Sequence, residues 1–144
     1  MADYYTHFSC MVDVGTAENA ARALAIRQEH ADAIEENEGG DLGFEMEHDP
    51  DCGPGALWIY SDAYGEPEHV IAFVLACAEA FGLTGRWGFA WGLTCSKPRL
   101  DGFGGGAQVL DLGQRRSLAW VDCEHWLAST IDAATNPGEC VAPE

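Results

Sequence analysis

Two fixed cations around a proline, Lys97-Pro98-Arg99, stand shortly before three consecutive glycines, Gly104, Gly105 and Gly106. Proline holds the residue before it extended and removes one backbone donor, while exposed N–H groups of successive glycines can form an anion-binding nest. Phosphate or a nucleotide is the natural guest of such a loop, with Gly92 and Thr94 of the preceding strand beside it. The spacing matches neither the P-loop nor the GxGxxG pattern. In the plainer reading the two cations neutralise nearby carboxylates and the glycines form a bulge.

Other reactive residues point less far. Cys95 with a histidine such as His7 is the one nucleophile–base pairing worth considering, although a thiol on an apolar core face is inert. His48, Asp49, Asp51 and Cys52, or Cys123 and His125, lack the spacing of a zinc site, and the start Asp49-x-Asp51-x-Gly53 lacks the later ligands of a calcium loop. No metal or cofactor is expected, and no residue set spells a known reaction, so the sequence leans away from catalysis.

Charge narrows the partners. Twenty-four Asp and Glu against seven Lys and Arg give a net charge of -17, which argues against binding a nucleic-acid backbone or an anionic membrane. From Gln28 to Gly85 there is no Lys or Arg at all, and within that window lie Glu35, Glu36, Glu38, Asp41, Glu45 and Glu47. Such a block is either a solvated face or a surface that docks on a basic protein or imitates a polyanion. Six cysteines without a CxxC pair, a polar and aromatic start, and no apolar run of about twenty residues lead to the expectation of a soluble, cytoplasmic protein with free thiols.

The elements that must position these groups are legible from alternation and turn residues. With 144 residues, one domain over residues 1–138 can bury about two thirds of its unfolded surface, and residues 139–144 read as a loose tail. Phe8, Cys10 and Val12 alternate with His7, Ser9 and Met11 in a first strand; Thr16 caps a helix with Ala17, Ala20, Leu24, Ala31 and Ile34 near one face, and with Glu18 placed to meet Arg22. A strand over Leu42 to His48 and another over Ala56 to Ser61 form a hairpin; Pro67 starts a second helix that Gly82 closes. Trp87, Phe89, Trp91, Leu93 and Cys95 then alternate with Gly88, Ala90, Gly92 and Thr94, a strand with one bulky and one bare face. Strands over Ala107–Leu112 and Ser117–Val121 and a helix capped by Asp122 follow, the latter stopped at Asn136-Pro137-Gly138.

The order β-α-β-β-α-β predicts an α+β fold of ferredoxin-like type, an antiparallel sheet with two helices on one face, extended by a C-terminal β-hairpin and helix. The opposite face would then carry Tyr5, His7, Glu45, Glu47, Trp58, Tyr60 and the bare row. A register one residue away sends Trp58 and Tyr60 inside, and the pattern accommodates both.

Thr94-Cys95-Ser96-Lys97-Pro98-Arg99 followed by Phe103 to Ala107, FGGGA, resembles a set of small phage and prophage proteins without an established activity. The resemblance implies a mobile-element setting, in which small acidic proteins act by binding: blocking host defence enzymes, mimicking DNA or sequestering a nucleotide. The leading expectation is therefore an acidic, non-enzymatic inhibitor that engages a basic surface of a host protein. A binder of a small anionic ligand at Lys97, Arg99 and Gly104–Gly106 comes second, and a structural protein, a homodimer through the open sheet face, third.

Overall fold

The computed structural model describes residues 2–134; the proposed helix stop at Asn136-Pro137-Gly138 and the tail from Glu139 lie outside the described residues. The order of elements is β1 (Tyr4–Asp13), α1 (Ala17–Asn37), β2 (Glu45–His48), β3 (Ala56–Ser61), α2 (Pro67–Phe81), β4 (Arg86–Cys95), β5 (Gly104–Asp111), β6 (Arg116–Asp122) and α3 (Cys123–Ala134). Six antiparallel strands form one sheet in the order β2-β3-β1-β4-β5-β6, so the protein is α+β.

Alternation in the strands decides which face is covered. Phe8 and Val12 of β1, Leu57 and Ile59 of β3, Phe89 of β4 and Leu110 of β5 are buried, and they share one cluster with Ala20 and Ala23 of α1 and Val70, Phe73, Val74 and Cys77 of α2. Both helices therefore lie on the same side of the sheet. Phe73 is fully buried against Phe44, 5.6 Å between ring centroids, and meets the edge of His30 at 6.3 Å.

The helix ends follow from their residues. The Thr16 side chain accepts from the Asn19 N–H at 3.0 Å, Pro67 starts α2, and Gly82 ends it in the left-handed region at φ 65°. Leu24, placed by its spacing near the buried face of α1, is instead 47 % exposed; Ala20 and Ala23 make the contact, because small side chains let α1 lie close to the sheet. Arg22 sits over the Phe81 ring at 5.0 Å, where Glu18 was expected to meet it. The second strand begins only at Glu45, since Gly43 takes φ 83° and turns the chain just after buried Leu42.

The three glycines belong to a strand. Gly104, Gly105 and Gly106 open β5 opposite Leu93, Gly92 and Trp91, so the connection after β4 is only Ser96 to Phe103. A bulge between Val109 and Leu110 shifts the pairing to β6, the exposed edge strand, and α3 begins at the residue after its end, with the Asp122 carboxylate accepting from the Glu124 N–H.

Burial pushes the thiols of Cys10 and Cys77 up to about 12 from an ordinary value near 9. The unfolded chain thus releases these protons first, and stability falls as pH rises from about 9 toward 12, by roughly 1.4 kcal/mol per pH unit for each such thiol. Thermal unfolding followed between pH 8 and 11 should show this loss, and Cys77→Val should flatten it; an unchanged slope would mean that the thiol ionises as easily folded as unfolded.

Candidate functional site

On the side away from the helices, the strand pairings build two short rows across the sheet. Glu45, Tyr60 and Ser9 are neighbours in one, Glu47, Trp58 and Met11 in the next. Strand alternation puts all six on one face, because their neighbours Met46, Ile59 and Cys10 point to the core side. Trp58 and Tyr60 therefore stand on the open face, the first of the two registers the sequence allows.

Here the side chains hold one another. The Trp58 and Tyr60 rings are stacked with centroids 4.0 Å apart at 23°. The Trp58 indole N–H donates to Ser9 Oγ at 2.8 Å, and the Tyr60 hydroxyl donates to Glu47 Oε2 at 2.5 Å. That hydrogen bond to a carboxylate raises the Tyr60 hydroxyl above the usual tyrosine range. Glu47 is thereby oriented, and Glu45 lies beside it on the same strand face. Further along, His7 Nε2 and Thr94 Oγ1 are 2.7 Å apart, and Tyr5 lies within ring contact of both His7 and Tyr64.

The acidic residues separate into two groups. Glu45 and Asp41 line a recess of about 670 Å³ at the β2 edge, together with Asp62, Glu66 and Tyr64, which sequence reasoning did not single out. Arg27 is the cation in its wall; its guanidinium donates to the Phe44 carbonyl and lies 5.2 Å from the Phe44 ring centroid. Glu35, Glu36 and Glu38 are exposed at the C-terminal end of α1, whose last turn carries no basic residue. Carboxylates at that end of a helix face the negative pole of its dipole and cost about 0.3–1 kcal/mol each.

The expected anion site does not assemble as a nest. Lys97 and Arg99 are exposed on the Ser96–Phe103 loop, which is tied to the start of β1 by paired Asp3–Ser96 backbone and side-chain contacts. Gly104 to Gly106 run alongside β4 in the sheet, and Gly92 and Gly105 are cross-strand neighbours. A Cβ on Gly106 would stand 2.6 Å from both the Trp91 ring and the Val121 carbonyl oxygen, so this glycine admits close packing. Gly92 has open space above it on the exposed face.

Cys95 and His7 do not come together either. Thr94, next to Cys95, is the residue that meets His7, and alternation sends Cys95 to the other face. In the turn before β3, His48 Nε2 bonds the Pro54 carbonyl at 2.8 Å and Cys52 Sγ lies 3.3 Å from Asp49 Oδ2. Among the described residues no three His, Cys, Asp or Glu side chains converge as metal ligands do, and no helix is long and apolar enough to cross a membrane.

Substitution separates the two kinds of glycine. Gly106→Ala should lower stability by about 1–3 kcal/mol, as overpacking does, whereas Gly92→Ala should leave it within about 0.5 kcal/mol. Chemical denaturation of the two variants measures this, and equal effects would contradict the packing assigned to Gly106.

No family model, no curated protein and no solved structure matches this chain.

Proposed function

We propose that this is a non-enzymatic binding protein, an acidic inhibitor of the phage type, that docks the open face of its sheet on a basic surface of a host protein. The observation that carries the reading is the grouping of Glu45 and Glu47 with the stacked Trp58–Tyr60 pair. A guanidinium satisfies both halves of such a surface, lying flat on an aromatic ring while donating to a carboxylate. Glu47 is already held by Tyr60, so little side-chain freedom is lost when a partner arrives.

Charge outside the sheet supports the same reading. The carboxylates of the Asp41–Glu45 recess and of the α1 terminus extend one negative field around the β2 end of the molecule. Such a field accelerates encounter with a basic partner, as the charge of a polyanion would. The acids on α1 oppose their helix dipole, a placement that favours an external contact over stability of the helix. Within the scaffold, the first six elements with strand order β2-β3-β1-β4 support a ferredoxin-like reading, to which β5, β6 and α3 are additions. The alternative anionic ligand at Lys97 and Arg99 has less behind it, because the glycines that would supply donors lie within β5.

The test is binding to an immobilised arginine-rich peptide. Affinity should fall at least tenfold between about 20 and 200 mM salt, and Glu45→Lys combined with Glu47→Lys should lower it a further tenfold or more. Glu18→Lys with Glu79→Lys changes the net charge equally away from the sheet face and should have little effect. Equal losses in the two double variants would reduce the interaction to net charge and sink the assignment of the face.

A further inference from the structure

Beyond the acidic face, and independent of it, the helix-covered side of the sheet leaves a groove unfilled. α1 and α2 cover the sheet as far as Phe89 of β4 and Leu110 of β5, and a groove remains beyond Ile71, over Trp91, Gln108 and Trp120. Ile71 of α2 forms one wall, Trp91 and Gln108 the floor, and Ser117, Trp120 and Asp122 the far side, enclosing about 500 Å³. Trp120 is 66 % exposed there.

The same chain carries an amphipathic helix, α3, whose apolar side chains are exposed. Trp126, Leu127 and Ile131 are 47, 54 and 55 % exposed, and at 100° per residue they share one stripe of α3 with Thr130. α3 cannot turn back over its own sheet as α1 and α2 do, because Cys123 follows Asp122 with no connecting residue, where strand–helix connections usually have about 2–6. Among the described residues, none of α3 lines the groove.

We propose that a second copy of this chain fills the groove, each protomer laying its α3 stripe against Trp91 and Trp120 of the other about a two-fold axis. The areas fit. At the observed exposures, Trp120 and Trp126 leave roughly 200 Å² of apolar surface per copy, and Leu127 and Ile131 add a similar amount. Doubling this gives about 800 Å², close to the roughly 900 Å² of non-polar surface in an interface of standard size. Glu68 and Asp122 also line the groove, so the apolar contact should tighten as salt screens them; the acids of the β2 edge stand three to five strands away, about 14–24 Å at the usual strand spacing, beyond the Debye length of about 10 Å at 0.1 M salt.

Sedimentation velocity on the full chain is the test. A dimer of about twice the 15.5 kDa chain mass is expected at micromolar concentration. Trp120→Lys in the groove and Leu127→Glu on the helix should each raise the dimer dissociation constant at least 100-fold. An equimolar mixture of the two should dimerise again, since one exchanged contact then pairs the introduced Lys with the introduced Glu and the other is unaltered. Circular dichroism checks that each variant is folded; Trp126→Ser, at an exposed helix position, replaces Leu127→Glu if that variant is not, with dimer loss as its readout. A monomeric wild type, variants that remain dimeric, or a mixture that stays monomeric each overturns the exchange.

Discussion

Phe73 packed between Phe44 and His30 is the contact on which the rest depends. It lies on α2 among Val70, Val74 and Cys77, all fully buried, and brings α1, the segment entering β2 and the sheet into one apolar cluster. Such burial contributes about 1.5–3 kcal/mol per large side chain. Once both helices lie on that face, strand periodicity leaves the other face to polar, aromatic and small residues. The candidate site is thus a consequence of where α2 packs, and a shift of one residue in β3 would have exchanged Trp58 and Tyr60 for Leu57 and Ile59.

Several polar side chains of the open face are paired with one another. Trp58 bonds to Ser9, Tyr60 to Glu47 and His7 to Thr94, so these rings and the Glu47 carboxylate are fixed in orientation. A flexible acidic tail would lose more conformational entropy on any contact. Here most of that cost is met when the sheet forms.

Much of this was legible in the sequence because it rests on local rules. Alternation located β1, β3 and β4, and Thr16, Pro67 and Gly82 marked helix ends. The failures came where non-local contacts decide. Gly104 to Gly106 look like a loop when read alone and become a strand because β4 offers a partner edge with Gly92 opposite Gly105. Leu24 fits a helical stripe but loses its place to Ala20 and Ala23, which allow closer approach. Cys95 and His7 are on adjacent strands yet on opposite faces, a fact that only the pairing of Tyr5 with Thr94 fixes. Asp62, Tyr64 and Glu66 reach the recess through the β3–α2 connection, and no motif in the sequence announces that.

The C-terminal addition obeys a different constraint from the rest of the sheet. β6 is an exposed edge with Leu118, Trp120 and Val121 on it, and an edge of this kind invites pairing with another strand. The bulge at Val109–Leu110 interrupts the register beside it, and charged Arg116 and Asp122 stand at its ends; bulges and edge charges both discourage strand addition. Edge-to-edge growth of the sheet is therefore disfavoured, while the groove beneath Trp120 and the apolar stripe of α3 stay open. Association at this end of the molecule is directed to helix-in-groove packing, which closes on itself after two copies and leaves the acidic β2 end facing solvent on both sides.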